Sequence, residues 1–460
     1  MGNSSATPVH PLAVELGRRF AAAGHELYLV GGSVRDVVLG RDAPDLDFAT
    51  SAYPHETTRV LRGWADRTYL MGVRFGTVGA TKGGERVEVT TFRQEIYAEE
   101  HRKPAVTFGK DIETDLSRRD FTINAMAVKL PEGTFVDPFG GVRDLRERTL
   151  DTPLDPATAF SDDPLRMLRA ARFVSQLEVE PSARVTASIA SMRERLEIVS
   201  SERIRDELDK LLIGARPARG LSLLVDTGLA EEFMPELPAL RLEQDPVHRH
   251  KDVLTHTYAV VERCEADPVL RMAALLHDVG KPKTRQVTPE GVTFHHHELV
   301  GARVARERLQ ALRYPNFFSD DVAKLIELHL RFHGYGEGWS DAAVRRYVRD
   351  AGPLLDRLNQ LTRADVTTRN PDRARRFQAL QDDLEERIAR LAEEENLDKL
   401  RPALDGRQVM ERLGVPPGPV VGEALAYLMD IRMERGPVSE SDAYRLLDAW
   451  AAERGLGSAD

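Results

Sequence analysis

The sequence predicts an α+β head built on a small mixed sheet, followed by a long all-α remainder. Three observations carry this reading. First, short apolar runs between residues 27 and 130, "LYLV", "TVGATK", "RVEVTTF" and "MAVKL", read as strands, some behind glycine-bearing turns. Second, a helix is expected near 11–23, ahead of the first run. Third, the character changes after "DPFGGVRDL". From about residue 155 onward apolar residues recur at spacings of three and four between arginine-rich polar faces, with Gly or Pro at the breaks. "SDDPLRMLRAARFVSQL", "SERIRDELDKLLI" and "PDRARRFQALQDDLEERIARLAEEE" each read as an amphipathic helix.

The chain has 460 residues, enough for two to four domains with their own cores. Its single cysteine, Cys264, excludes an intramolecular disulfide and a cysteine-based zinc site, which suits a reducing compartment. No apolar run approaches the ~20 residues of a membrane span. The opening "MGNSSATPVH" lacks the flanks of a signal peptide, and Ala6 breaks the myristoylation pattern. Residues 1–10 are expected to be a frayed tail, and the protein cytoplasmic with no membrane partner. The net charge of −10 argues against a general nucleic-acid coat protein. A local stripe stands out against it: residues 331–376 hold ten arginines against six acids, a net charge of +4, which suits contact with RNA.

The head carries its chemistry in residues 27–50, "LYLVGGSVRDVVLGRDAPDLDFAT". In an extended segment side chains alternate, so Asp45 and Asp47 share one face while Leu46 and Phe48 take the other. Leu46 and Phe48 then anchor the strand in a core, and two hard oxygen ligands project into a common site. That spacing suits Mg²⁺, which takes one or two carboxylates and fills its shell with water and substrate phosphate. Gly31 and Gly32 let backbone approach a ligand closely. Ser33 is expected to cap a helix starting at Val34, whose free amides face an anion. Glu88, in "RVEVTTF", offers a third carboxylate.

With those residues in place, the stretch resembles the signature of the nucleotidyltransferase superfamily that holds the class II tRNA CCA-adding enzymes and bacterial poly(A) polymerases. The resemblance continues, in family order, through "RRDFTINAMA" (118–127), "DPFGGVRDL" (137–145), "DDPLRMLRAARF" (162–173) and "ERIRDEL" (202–208). It implies that Asp45 and Asp47 hold catalytic metal and that Arg118, Arg119 and Asp120 handle ribose and phosphates. Arg35, Asn124, Arg169 and Arg172 are implied nucleotide contacts as well. No covalent intermediate is needed for such a transfer, which rests on positioning and charge neutralisation.

Asp163 and Arg166 stand three apart on a helix expected to begin near Asp162, so they share a face. A carboxylate only accepts and a guanidinium only donates. Cytosine and adenine both present an amino donor beside a ring-nitrogen acceptor, whereas uracil and guanine present the reverse. One Asp/Arg pair can therefore take C and A and reject U and G, because a mismatch leaves buried polar groups unpaired. The resemblance assigns this role to the matching motif, with Asp162 where some relatives carry Glu. The segment 93–117 resembles the loop that helps switch specificity from C to A.

Nine of the thirteen histidines fall between residues 248 and 333. "KDVLTHTYAVV", "ALLHDVGKP", "FHHHELVGARVA" and "LTRADVTTRN" follow one another as in an HD domain. His277 and Asp278 on one helix, with His256 and Asp365 from others, give a mixed nitrogen and oxygen set that suits a divalent transition metal or Mg²⁺. His297, the last of three adjacent histidines, and His329 would supply a second position. A cation there is suited to phosphate-ester hydrolysis, with 2′,3′-cyclic phosphates or phosphate monoesters at RNA ends as substrates.

The expected organisation is a nucleotidyltransferase head (1–148), a helical neck (149–245), an HD body (246–385) and a helical tail (386–460). The expected activity is addition of C, C and A to tRNA from CTP and ATP, by a monomer or homodimer. The alternatives are a poly(A) polymerase, a partial specialist adding only CC or A, and an HD hydrolase with a binding-only head.

Overall fold

The computed structural model describes residues 10–42, 45–70, 72–96, 105–109, 111–242, 252–289, 291–367, 370–395 and 401–456. The expected frayed tail lies outside these residues but for His10, as do 97–104 and 110 of the expected specificity loop. The chain divides into two compact units, Met1–Pro238 and Ala239–Asp460.

The first unit opens with α1 (Pro11–Ala22), whose Leu16 and Phe20 are fully buried. Next come β1 (Leu27–Val30), α2 (Gly32–Val38), β2 (Asp45–Thr50), α3 (Pro54–Leu61), β3 (Arg67–Tyr69), β4 (Thr77–Lys82) and β5 (Glu85–Thr91). A hairpin of β6 (Arg93–Ile96) and β7 (Ala105–Phe108) precedes α4 (Ile112–Ser117), β8 (Ala127–Leu130), β9 (Thr134–Val136) and α5 (Gly141–Glu147). The main sheet runs β3-β4-β5-β2-β1-β8-β9. Only β2 and β5 pair in parallel, so the sheet is mixed, as expected. It is wider than the sequence suggested. The added edge strands β3 and β9 are three residues each, too short for a legible alternation.

Helices α6 (Pro156–Asp162), α7 (Leu165–Leu177), α8 (Ala183–Met192), α9 (Ser201–Leu212) and α10 (Pro217–Asp226) complete this unit. The single helix expected over 161–177 is two. Pro164 has no amide to donate and disfavours helical backbone at the residue before it, and Asp163 accordingly takes an extended conformation (φ −144°). α7 is the central helix: Met167, Leu168, Ala170, Ala171, Phe173 and Val174 are all buried. A Cβ on Gly220 would lie 2.6 Å from the Ala171 carbonyl oxygen, so that glycine lets α10 lie close against α7.

The second unit is almost wholly helical among its described residues. It holds α11 (Val253–Arg263), α12 (Pro268–Leu276), α13 (Lys281–Thr284), α14 (His297–Ala311), α15 (Asn316–Leu328), α16 (Asp341–Ala351), α17 (Leu355–Asp365) and α18 (Pro371–Glu395). Every residue of α12 from Leu270 to Leu276 is buried. Each of α11 and α12 opens on an aspartate, Asp252 and Asp267, that accepts from a backbone amide of the first turn. At the end of the chain α19 (Gly406–Leu413), α20 (Pro419–Arg435) and α21 (Glu440–Glu453) share a core around Val409, Leu413, Leu428, Leu447 and Trp450. Among the described residues no helix is long and apolar enough to cross a membrane.

Candidate functional sites

The opening stretch folds as its alternation dictates. Leu46 and Phe48 are buried, and Asp47, between them, faces the other side of the sheet and is partly open to solvent. The β2–β5 register sets Asp47 opposite Glu88 and Asp45 opposite Arg86. In a parallel pair, opposed residues point the same way. Asp47 and the exposed Glu88 therefore stand side by side on one face, a fit for a hard divalent cation. The side chain of Asp45 lies outside the described residues.

The turn between β1 and α2 differs in one detail from expectation. Gly31, not Ser33, stands at the N-cap of α2, with φ +72°, a conformation glycine takes without strain. Ser33 lies inside the helix, and its hydroxyl accepts from the Asp47 amide at 3.4 Å, tying α2 to the acidic strand. A Cβ on Gly31 would come within 2.9 Å of the Arg119 guanidinium, so Arg119 lies over the turn.

Arg118 and Arg119 bracket a carboxylate that sequence reasoning missed. Asp115 is buried and accepts from Arg118 at 2.6 Å and from Arg119 at 3.1 Å. Burial alone would raise its pKa, but the two guanidiniums outweigh burial and lower it. Its spacing of three and four residues from the arginines was the available signal.

Asp120 is also buried. Its Oδ1 accepts from the Asn124 amide at 3.0 Å, and the Asn124 oxygen accepts from Arg35 at 2.9 Å. Its Oδ2 accepts from Arg169 Nε at 2.9 Å. Burial pushes the carboxyl up, yet the Arg169 charge and the Asn124 hydrogen bond hold it at about 2. Arg172 pairs with the buried Glu207 at 2.9 Å. Arg35, Arg169 and Arg172 all lie over the ring of Phe173, at 5.5, 5.7 and 4.4 Å from its centroid. Phe121, next to Asp120, meets that ring edge-on. Phe173 and Glu207 thus join the site, although composition gave no reason to single them out.

Asp163 and Arg166, the pair expected to read the base, are not arranged as one continuous helix would arrange them. Asp163 sits in the break before α7, accepts from the Leu165 amide at 3.2 Å and pairs with Arg203 at 2.8 Å. Arg166, one turn on, donates to the carbonyl oxygens of Arg118 (2.6 Å) and Ala159 (3.3 Å). Asp162 closes α6.

In the second unit the six expected ligands converge from separate elements. His256 is on α11, His297 opens α14, His329 caps α15 and Asp365 ends α17. His277 is the C-cap of α12 and Asp278 lies in the turn beyond it, not within the helix as expected. The Nε2 of His256 lies 2.9 Å from Asp365 and 3.2 Å from the Nε2 of His277, and His277 Nε2 lies 3.2 Å from Asp278. His297 Nε2 reaches the other Asp278 oxygen at 3.4 Å. The opposite nitrogens are anchored. Nδ1 of His277, His297 and His329 donates to the carbonyls of Ala274, Phe294 and Ile326 at 2.7, 2.9 and 2.6 Å. Each ring thereby turns its Nε2 inward, toward the position a metal would take.

Among the described residues, two side-chain groups are spaced to hold a metal ion: His256, His277 and Asp278, and Asp278, His297 and His329. Burial and the neighbouring His277 push His329 down to about 4, which keeps it neutral. Asp278 is held well below the carboxylate range against its burial by His277 and Lys281, whose Nζ lies 2.7 Å away. His295 and His296 are exposed, which leaves His297 as the buried member of the triplet. His256, Asp278, His297, His329 and Asp365 line a cavity of about 590 Å³.

Three family profiles match the chain: "Poly A polymerase head domain" over residues 27–151, "Probable RNA and SrmB- binding site of polymerase A" over 178–240, and "HD domain" over 253–397. A CCA-adding enzyme of Anoxybacillus flavithermus is 43% identical over 221 residues, covering 48% of this chain and 54% of the relative. One from Bacillus licheniformis is 44% identical over 222 residues, covering 48% and 55%. The chain thus spans about half the length of the curated relatives it matches. The crystal structure of the Bacillus stearothermophilus CCA-adding enzyme in complex with CTP superposes with a TM-score of 0.72 at 26% identity, over 97% of this chain and 99% of that one. With its head motifs, mixed sheet and histidine cluster, this chain carries a poly A polymerase head domain, the matching RNA-binding segment and an HD domain, and it is similar over nearly its whole length to a CCA-adding enzyme.

Proposed function

We propose that this protein adds C, C and A to tRNA 3′ ends from CTP and ATP, without a nucleic-acid template. The observation that carries the reading is the β2–β5 register, which aligns Asp47 with Glu88 on the face opposite the buried Leu46 and Phe48. Asp45, Asp47 and Glu88 would hold Mg²⁺, whose charge would neutralise the triphosphate and favour ionisation of the primer hydroxyl. Arg118 and Arg119, braced by Asp115, would take phosphate oxygens in a forked geometry. Asp120, Asn124, Arg35, Arg169 and Arg172 form one hydrogen-bonded and stacked set that would position ribose and phosphate against α7. Asp163 and Arg166 would read the base edge, exchanging Arg203 and backbone carbonyls for cytosine or adenine.

The similarity to relatives named CCA-adding enzymes, one of them solved with CTP, supports these substrates. The profile described as an RNA-binding site supports an RNA partner. In the second unit His256, His277, Asp278, His297, His329 and Asp365 would hold a divalent cation, which would supply the charge for hydrolysis of phosphate esters. The four-part organisation with boundaries near 148, 245 and 385, a cytoplasmic location and a monomeric or dimeric state belong to the same reading.

Primer extension tests it. The primers are tRNAs ending before CCA, after C and after CC, beside a generic RNA, each with ATP, CTP or both. Addition of CCA with a clean stop is expected, and its loss in a folded Asp47→Ala variant. A long ladder from ATP alone on any RNA would make the protein a poly(A) polymerase. Incorporation by folded Asp47→Ala would remove the metal assignment. Asp278→Ala is expected to abolish phosphate-ester hydrolysis and spare nucleotide addition.

A further inference from the structure

We propose that Phe377 and Arg373 form a nucleoside-recognising wall in the HD cavity, so that it takes a nucleoside phosphate, with its base stacked on Phe377, in preference to a bare phosphate ester. This rests on the reading of that cavity as a metal-dependent phosphate site. Its volume of about 590 Å³ is on the scale of a whole small-molecule ligand and exceeds what a phosphate alone requires. Five of the expected ligands form one part of the lining; Lys281, His333, Arg373 and Phe377 contribute to the rest.

Phe377 stands where the α18 pattern calls for core. Leu391 and Leu384, at seven-residue spacing along the same face, are 1% and 2% exposed. Phe377, the next position in that series, is only partly buried and lines the cavity. Its ring meets His333 edge-to-face at 6.4 Å, and His333 Nε2 lies 4.0 Å from Asp365. One side chain therefore separates the aromatic surface from a candidate metal ligand. Arg373, one turn before Phe377, lies over the same ring at 5.7 Å.

Three nearby arginines are committed to carboxylates. Arg363 pairs with Asp382 and Glu385, Arg375 with Asp372, and Arg387 with Asp341. Arg373, among the described residues, has no carboxylate partner. An arginine without a counter-ion, laid over an aromatic ring beside a ligand cluster, has the chemistry of a phosphate and base contact: the guanidinium takes the anion and the ring takes the base. Every nucleobase has a π-face, so this wall selects for the presence of a base and not for its identity.

Binding calorimetry on the full-length, Mn²⁺-saturated protein tests the proposal, with adenosine 3′-monophosphate and inorganic phosphate as probes. Phe377→Leu keeps apolar volume and removes the ring; it is expected to weaken nucleotide binding about tenfold and leave phosphate binding unchanged. Phe377→Trp is expected to restore the nucleotide's affinity. Arg373→Ala is expected to weaken both probes. Unchanged nucleotide affinity in Phe377→Leu overturns the proposal. Phosphate release from the nucleotide, followed separately, tells the two readings apart. Binding that depends on Phe377 without hydrolysis keeps the wall and removes the hydrolase, whereas hydrolysis with binding indifferent to Phe377 does the reverse.

Discussion

Asp120, in the head, accepts from both Nε and a terminal nitrogen of Arg169, on α7, and this two-pronged contact ties the motif at 118–127 to the helix behind it. The carboxylate is 9% exposed and the guanidinium 32%. Asp120→Asn would leave Arg169 with only the more distant Glu207, at 4.0 Å. Removing one member of a buried pair costs far more than the pair contributes, here about 3 kcal/mol. Chemical denaturation of the variant beside Arg169→Met and the double variant would show it. A double variant as unstable as the sum of the singles would mean that the two side chains act independently.

The same pair sets an acid limit. Asp120 has a folded pKa of about 2 against an ordinary 3.8. Its folded pKa is depressed, so the unfolded state binds more protons in that window and stability falls as pH falls. The contribution is fully present above the ordinary value and is lost as pH drops from about 4 through about 2, amounting to roughly 2 kcal/mol. Asp115, depressed by Arg119 and Arg118, acts in the same direction. Urea midpoints measured from pH 5 to pH 2.5 should fall more steeply for wild type than for Asp120→Asn. Parallel curves would assign the acid sensitivity elsewhere.

Base choice gives the third prediction. Asp163 is held by Arg203 at a break in the chain, where its carboxylate remains 32% exposed. Asp163→Ala should preserve the fold, since a partly exposed ion pair contributes little. It should shrink the preference for CTP over UTP, read as the ratio of kcat/KM values, by about 10²-fold. An unchanged ratio would take base reading away from this residue.

The head strand was legible because its alternation is unambiguous: two large apolar residues and two aspartates leave one way to lie on a core. The break at Pro164 was misread because the surrounding residues keep helical spacing, and the proline's cost falls on one residue, Asp163. Asp115 and Glu207 escaped notice for a different reason. A buried carboxylate is recognisable by the guanidiniums it meets, and Glu207 meets one from a helix 35 residues away. The expected HD ligands come from five segments, so periodicity could not bring them together; only the resemblance to a known order of motifs did.

Cys264 is 3% exposed, and burial pushes its thiol up to about 12, with Asp365 adding in that direction and Arg271 opposing. Only the thiolate reacts at an appreciable rate. Folded protein at pH 8 should therefore take up no iodoacetamide over an hour, and unfolded protein one equivalent, as read by mass. Rapid labelling of the folded chain would show that this part of α11 opens locally.

Metal removal supplies the last test. Three of the cluster's imidazoles are fixed through Nδ1 to backbone carbonyls, so their Nε2 atoms face one another and the two carboxylates whether or not a cation lies between them. A cation that binds only the folded arrangement stabilises it by mass action, about 2.7 kcal/mol at a hundredfold excess over Kd. Thermal melting after chelation, then with Mn²⁺ restored, should show a rise of several degrees in wild type. In Asp365→Ala the rise should shrink or vanish. Asp365 also contacts His256 at 2.9 Å, so the substitution alters baseline stability. The comparison is therefore made within each variant, with and without metal, where that baseline cancels. A full metal-dependent rise in Asp365→Ala would exclude Asp365 from the ligand set, and no rise in wild type would remove the metal site.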